Sequence, residues 1–171
     1  MKRLFLHGAE AVIVVLLLLA APIPGAFAGD WAVAGDGCKA WNPHPTNGET
    51  IRWTGGCKDG FVEGMGTLAW QRSGKTYEHD EGQWRSGRQI SGSQVWPGGQ
   101  YEGQFADSLP NGRGVLIFGD ARYEGLFVNG KPNGKGTLTN ASGSFEGNWM
   151  DGCLNDGKHR AAIGVSLQSC P

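Results

Sequence analysis

Apolar and polar residues alternate with a period of two over much of the chain beyond residue 53, in blocks that recur every twenty-two residues. Tyr101-Glu102-Gly103-Gln104-Phe105 returns as Tyr123-Glu124-Gly125-Leu126-Phe127, and again as Phe145-Glu146-Gly147-Asn148-Trp149. Alternation places Tyr123, Gly125 and Phe127 on one face of a strand, with Glu124 and Leu126 on the other. A turn segment comes next, Asn129-Gly130-Lys131-Pro132-Asn133 in the best unit, then a second alternating run, Gly134-Lys135-Gly136-Thr137-Leu138. Asn and Gly tolerate the positive φ of a tight turn, so each unit predicts one β-hairpin. A hairpin is not stable alone, and a fixed period of this length predicts a stacked array. No stretch beyond residue 28 keeps a helical period over three turns.

The aromatic face of each unit also carries bare glycines. Glycine weakens a strand and recurs where another group must approach the backbone, so rings lying over these glycines would restore the packing. The motif, Tyr-Glu-Gly-x-Phe/Trp followed by Gly and Gly-x-Gly-x-Leu, resembles the MORN repeat (membrane occupation and recognition nexus), most specifically in the units from Tyr101 and Tyr123. The resemblance implies protein association and, in some members, contact with acidic phospholipids. It brings no catalytic residues with it.

The expected fold is all-β: an elongated single-layer antiparallel sheet of stacked hairpins, about ten strands, with disulfide-pinned caps. A two-sheet sandwich or closed barrel is the alternative. Residues 1–28 read as a signal peptide: Lys2 and Arg3 precede the apolar run Ala11–Ala21, and Ala26-Phe27-Ala28 has the form of a cleavage site. Pro22, Pro24 and Gly25 cut the run short of the ~20 residues a membrane span needs. Residues 29–52, rich in turns, read as an N-terminal cap anchored by Trp31 and Trp41. The array covers 53–149, in units of about 53–76, 80–100, 101–122, 123–144 and a partial 145–149. Gln71 to His79 reads as a long connection, and Ser91 and Ser93 as replacements for two glycines of the second unit. Residues 150–171 form a C-terminal cap, in which Ala161–Leu167 could supply a closing strand.

Four cysteines in an exported chain point to disulfides. In a linear array the ends stand roughly 40–50 Å apart, so Cys38 must pair with Cys57, and Cys153 with Cys170. A zinc site from Cys38, His44 and Cys57 lacks the close Cys grouping such sites have. Of 15 Lys/Arg and 16 Asp/Glu, the signal segment holds Lys2, Arg3 and Glu10, so the chain beyond it is mildly acidic with no basic block. That argues against nucleic acid and weakens the phospholipid reading.

His44, His79 and His159 have no catalytic partner at a telling spacing, and no cofactor or metal is implied. Glu102, Glu124 and Glu146 read as solvent-facing, paired with Arg113 or Lys135 on the same face. The candidate binding residues are Tyr101, Gly103, Phe105, Tyr123, Gly125, Phe127, Phe145 and Trp149, an aromatic–glycine strip that a partner would use or that simply forms the sheet core. The expected function is a non-enzymatic, exported scaffold or interaction module, periplasmic or extracellular, binding a protein or a cell-envelope component. Acidic phospholipid or cell-wall glycan is the alternative ligand, and a hydrolase with an unrecognised site the remote one.

Overall fold

A computed structural model describes residues 29–171, and the signal-peptide assignment lies outside the described residues. Among the described residues fourteen strands form one sheet. The N-terminal part contributes β1 (Asp30–Val33), β2 (Lys39–Asn42), β3 (Glu49–Trp53) and β4 (Gly56–Lys58). Eight longer strands continue as a meander: β5 (Phe61–Arg72), β6 (Lys75–Arg85), β7 (Arg88–Trp96), β8 (Gly99–Ala106), β9 (Leu109–Phe118), β10 (Ala121–Val128), β11 (Lys131–Asn140) and β12 (Gly143–Met150). Two short strands, β13 (Cys153–Asn155) and β14 (Arg160–Ala162), end the order. From β5 to β14 each strand is antiparallel to the next, while β3 and β4 both pair with β5. The array is therefore the single open sheet that the hairpin pattern predicts.

Tight turns set the register. Asn129 and Gly130 both take positive φ, 48° and 79°, which matches the twist of a two-residue hairpin. The turn amides also bind sideways: Gly130 N–H donates to Pro110 O and Gly152 N–H to Pro132 O, each at 2.9 Å. Successive hairpins are thus tied at one margin as well as along their strands.

That register aligns one glycine per strand from β5 to β12. Gly66 stands opposite Gly82, Gly82 opposite Gly92, Gly92 opposite Gly103 and Gly103 opposite Gly114. The row continues through Gly125, Gly136 and Gly147. Gly92, not Ser91 or Ser93, is the row glycine of β7, because a bulge at Gln83/Trp84 shifts the pairing. Beside this row the rings link edge to face: Phe105 to Tyr101 (5.0 Å between centroids), Tyr101 to Phe127 (5.0 Å), Phe127 to Tyr123 (5.2 Å) and Tyr123 to Trp149 (5.0 Å). T-shaped pairs of this kind add about 0.5–1.5 kcal/mol each beyond their buried area.

Two disulfides join Cys38 to Cys57 and Cys153 to Cys170, the pairing expected from the sequence. At the N-terminal end Trp31 packs on Trp41 and Phe61. At the other end Leu154 covers Gly147 and Ile163 joins the ring cluster. Two sequence expectations need correction. Gln71 to His79 is no loop: β5 and β6 run on to the turn Ser73-Gly74, whose positive φ values of 51° and 74° close a hairpin. The closing strand is only Arg160–Ala162, since Gly164 (φ 73°) turns the chain out of the sheet.

Candidate functional site: an acidic gap in the aromatic face

One cross-strand row shows where the repeat is broken. From β3 to β12 it reads Trp53, Leu68, Asp80, Gln94, Tyr101, Leu116, Tyr123, Leu138 and Phe145. Every member is aromatic or Leu except Asp80 and Gln94. The two lie opposite each other on β6 and β7, and they fall between the two apolar clusters of the sheet. One cluster holds Leu68, Trp70 and Trp84; the other holds Tyr101, Tyr123 and Phe127.

Asp80 is 2% exposed. Its Oδ2 accepts a hydrogen bond of 2.7 Å from the Trp70 indole N–H, while its Oδ1 has no well-formed hydrogen bond among the described residues. A buried carboxylate without a counter-charge is costly and keeps its proton instead. Burial, and then the neighbouring Glu78 carboxyl, hold Asp80 well above the ordinary carboxylate range, although the indole bond pulls the other way. Burial raises Glu78 as well; its contact with the Asp80 carboxyl pulls the other way, and the Glu49 charge adds to the rise. Burial acts on Glu49 in the same sense, but hydrogen bonds from Thr46, Tyr77 and Arg72 outweigh it and leave Glu49 below its usual value. Arg72, the cation of that group, lies 3.3 Å from Glu49 and over the Tyr77 ring.

Glu49, Trp70, Tyr77, Glu78 and Asp80 line a cavity of about 410 Å³ together with Trp41, His44 and Trp96. Leu109, Pro110 and Gly130 continue its wall. A neighbouring cavity of about 750 Å³ shares Trp41, Pro43, His44, Leu109 and Gly130, and adds Asp107 and Asp151 together with Arg88 and Lys131. A third, of about 290 Å³, lies over Tyr101 and Phe127 and is bounded by Ala162, Ile163 and Gly164. The shared residues make these one trough over the ring face, with an N-terminal wall at Trp41–His44 and a C-terminal wall at Ala162–Gly164. Its acidic end is the cavity around Asp80.

The predicted site residues are brought together, but mostly beneath the surface. Tyr101, Tyr123, Phe127 and Trp149 are each at most 2% exposed and Phe105 7%, while Phe145 is half-buried. Gly103 and Gly125 are covered: a Cβ on either would meet the hydroxyl of Tyr101 or Tyr123 at 2.5 Å. The rings themselves fill the glycine grooves, and the trough opens above them. Tyr101 and Tyr123 are pushed up to about 12 by burial. Their hydroxyls donate to Gln104 O and Leu126 O.

Glu124 pairs with Arg122 at 2.8 Å, not with Lys135, because the register sets Thr137 opposite Glu124 and Asn148 opposite Lys135. Arg113 likewise faces Leu126 across the strands, and Glu102 faces Val115. His44 lines the trough, His79 is exposed and His159 pairs with Asp156. Among the described residues no three His, Cys, Asp or Glu side chains gather as metal ligands would. The acidic residues Glu49, Glu78 and Asp80 were missed in the sequence. Their signal was Asp80 itself, a carboxylate in the slot that other units fill with Tyr or Phe, ahead of an intact Glu81-Gly82-Gln83-Trp84.

Residues 101–120 and 123–145 match the MORN repeat family. A search of curated proteins returns no relative that matches the chain. MORN repeats are generally non-enzymatic modules of protein or membrane-lipid interaction. With two matched units, the glycine row and an open antiparallel sheet of stacked hairpins, this chain is similar to MORN repeat proteins, the match itself lying within residues 101–145.

Proposed function

We propose that the chain is a non-enzymatic interaction module of the cell envelope, exported to an oxidising compartment, whose trough holds a basic segment of a partner polypeptide. The observation that carries this reading is the trough. It is open, long and backed by a rigid ring ladder, with Glu78, Asp80, Asp107 and Asp151 along it. Its cations are Arg88, which lies 2.8 Å from Asp107 and stacks on Trp31 and Trp41, and the exposed Lys131, and the carboxyl groups of Glu49, Glu78, Asp80, Asp107 and Asp151 outnumber them. Acidic walls repel acidic phospholipid headgroups and attract Lys and Arg. The binding residues named from the sequence serve as the floor: Tyr101 and Phe127 line it, and Gly103, Gly125, Phe105, Tyr123, Phe145 and Trp149 keep that floor flat and fixed. The two disulfides suit export.

The test is site-specific photocross-linking in the producing cell. A photoreactive residue at Leu109, inside the trough, is compared with one at Met65, which is 65% exposed on the opposite face of the sheet. Polypeptide adducts from position 109 alone, mapped to a Lys/Arg-rich segment and lost at high salt, support the reading. Adducts from position 65 alone overturn it, as does salt-sensitive sedimentation with vesicles of acidic phospholipid and no adduct.

A further inference from the structure

The acidic gap carries more than a general preference for basic partners. Along the row that crosses the sheet, Asp80 and Gln94 replace the aromatic or leucine found in every other unit from β3 to β12. This substitution leaves a seam between two apolar clusters. The seam is open as a cavity, and Asp80 on its wall is nearly fully buried with one carboxylate oxygen unpartnered. Glu78 and Gln94 lie beside that carboxyl, yet neither makes a well-formed bond to Oδ1. A core that leaves a buried carboxyl oxygen without a well-formed hydrogen bond loses stability unless a ligand satisfies it.

The rest of the lining says what kind of donor fits. Glu49, Glu78 and Asp80 give three carboxyl groups, and among the described residues no Lys or Arg lines the same cavity. Arg72 lies behind Glu49 and is engaged with Glu49 and Thr46. Trp41, Trp70, Tyr77 and Trp96 form the remaining walls. Ring faces and carboxylates together attract a cation that also carries apolar carbon. Among the described residues no three carboxyl, His or Cys groups gather as ligands of a bare ion would need, whereas the ring-lined walls suit an organic cation.

We propose that the cavity bounded by Glu49, Glu78, Asp80, Trp70, Tyr77 and Trp96 is a site for an alkylammonium group, such as the side chain of a lysine in the partner. Its methylenes lie against the rings and its N–H groups donate to Asp80 Oδ1 and Glu78. Glu49 is already held by Thr46, Tyr77 and Arg72 and supplies long-range charge. His44, from the N-terminal cap, and Gln94, from β7, complete the polar groups that face the cation. Burial favours the protonated forms of Asp80 and Glu78, so the arriving ammonium displaces a proton to solvent. No other bond forms or breaks. The lysine site deepens the proposed partner-binding function and rests on the trough being open to a polypeptide.

The experiment uses the purified, oxidised protein and N-acetyl-lysine methylamide as probe, with N-acetyl-norleucine methylamide and cellobiose as neutral controls. The side-chain carboxyl carbons of Asp80 and Glu78 and the indole N–H of Trp70 are followed by NMR at several pH values. The lysine derivative is expected to shift all three signals to saturation, with norleucine weaker by about tenfold or more. Affinity rises between pH 5 and pH 8, and calorimetry in two buffers of different ionisation enthalpy shows proton release. Asp80→Asn and Glu78→Gln, each checked for folding, weaken the lysine derivative by about tenfold or more. Equal binding of norleucine, binding of cellobiose alone, or full lysine affinity in both folded variants overturns the proposal. Loss of the lysine site with cross-links from Leu109 intact removes this inference and leaves the trough reading standing. Absence of those cross-links with the lysine site intact does the reverse.

Discussion

The Tyr123 ring covers Gly136 so closely that a methyl group on that glycine would lie 2.1 Å from the tyrosine hydroxyl oxygen. The same relationship joins Tyr101 to Gly114, at 2.3 Å. Period, glycine content and aromatic content in this chain are therefore one device. Each ring gains a flat seat on the neighbouring strand, and each glycine gains the packing it lacks.

Gly136→Ala and Gly114→Ala should destabilise the protein by about 1–3 kcal/mol each, the usual range for forcing a methyl into a packed core. The ring is fixed by its edge-to-face neighbours and cannot swing away cheaply. Gly35→Ala is the control: a Cβ there meets nothing within 4 Å, so its effect should stay within about 0.5 kcal/mol. Urea denaturation of the three variants checks this. Equal stability of all three would mean that the rings do not seat on the glycines.

The three tyrosines should titrate late. Tyr101 and Tyr123 are raised to about 12 by burial, and Tyr77 is raised further, by burial and by the Glu49 carboxylate that accepts its hydrogen bond. Native protein should show little phenolate absorbance between pH 9.5 and 11, whereas protein in urea titrates near the ordinary value of about 10. The unfolded chain releases these protons first, so stability falls as pH rises above about 10. A tyrosine that ionises normally in the native state would contradict the seating of its ring.

The hairpin array was legible because its signals are local: parity within Tyr123–Phe127, the Asn129-Gly130 turn, and identical spacing in the next unit. The disulfide pairing was legible because each pair closes a short segment, 19 and 17 residues, within one end of the array. The acidic gap was not, since Asp80 becomes informative only once register places it between Leu68 and Gln94. Bulges at Trp70/Gln71 and Gln83/Trp84 shift that register. Sequence spacing alone thus set the glycines of the second unit one residue off. The depth of the rings also depends on twist and on the caps, which bring Trp41 and Ile163 from segments with no repeat signal.

Removing the C-terminal disulfide should loosen one end only. Cys153 and Cys170 are 17 residues apart, a closure worth about 3 kcal/mol in the chain-entropy model. Cys170 also anchors Arg160, whose guanidinium donates to the Cys170 carbonyl at 2.9 Å. The double variant Cys153→Ala/Cys170→Ala should lose about 2–4 kcal/mol, with faster amide exchange in β13 and β14 and unchanged exchange in β5 to β7. Loss of protection spread evenly over the sheet would show that the cap is not a separate unit.

Asp80→Asn should make the protein more stable at neutral pH, and the gain should depend on pH in a definite direction. Asp80 is raised well above its ordinary value of about 3.9. Between that value and its native one, the unfolded chain has released a proton that the folded chain keeps. Unfolding is therefore favoured progressively as pH rises through this window. Asn does not titrate, and its side-chain oxygen can still accept the Trp70 indole hydrogen bond. The variant should differ little from wild type near pH 3.5 and exceed it at pH 7.5, each kcal/mol appearing as roughly 2–4 °C in Tm. Glu78 sits beside the carboxyl and is raised in the same sense by burial, so Glu78→Gln should move stability the same way. A wild type more stable than Asp80→Asn at pH 7.5 would mean that a counter-charge already reaches the acid, and the case for an unfilled cation site would fall with it. The expected result gives that site its thermodynamic sense: a carboxyl that weakens the empty fold is stabilising once an ammonium group occupies the gap.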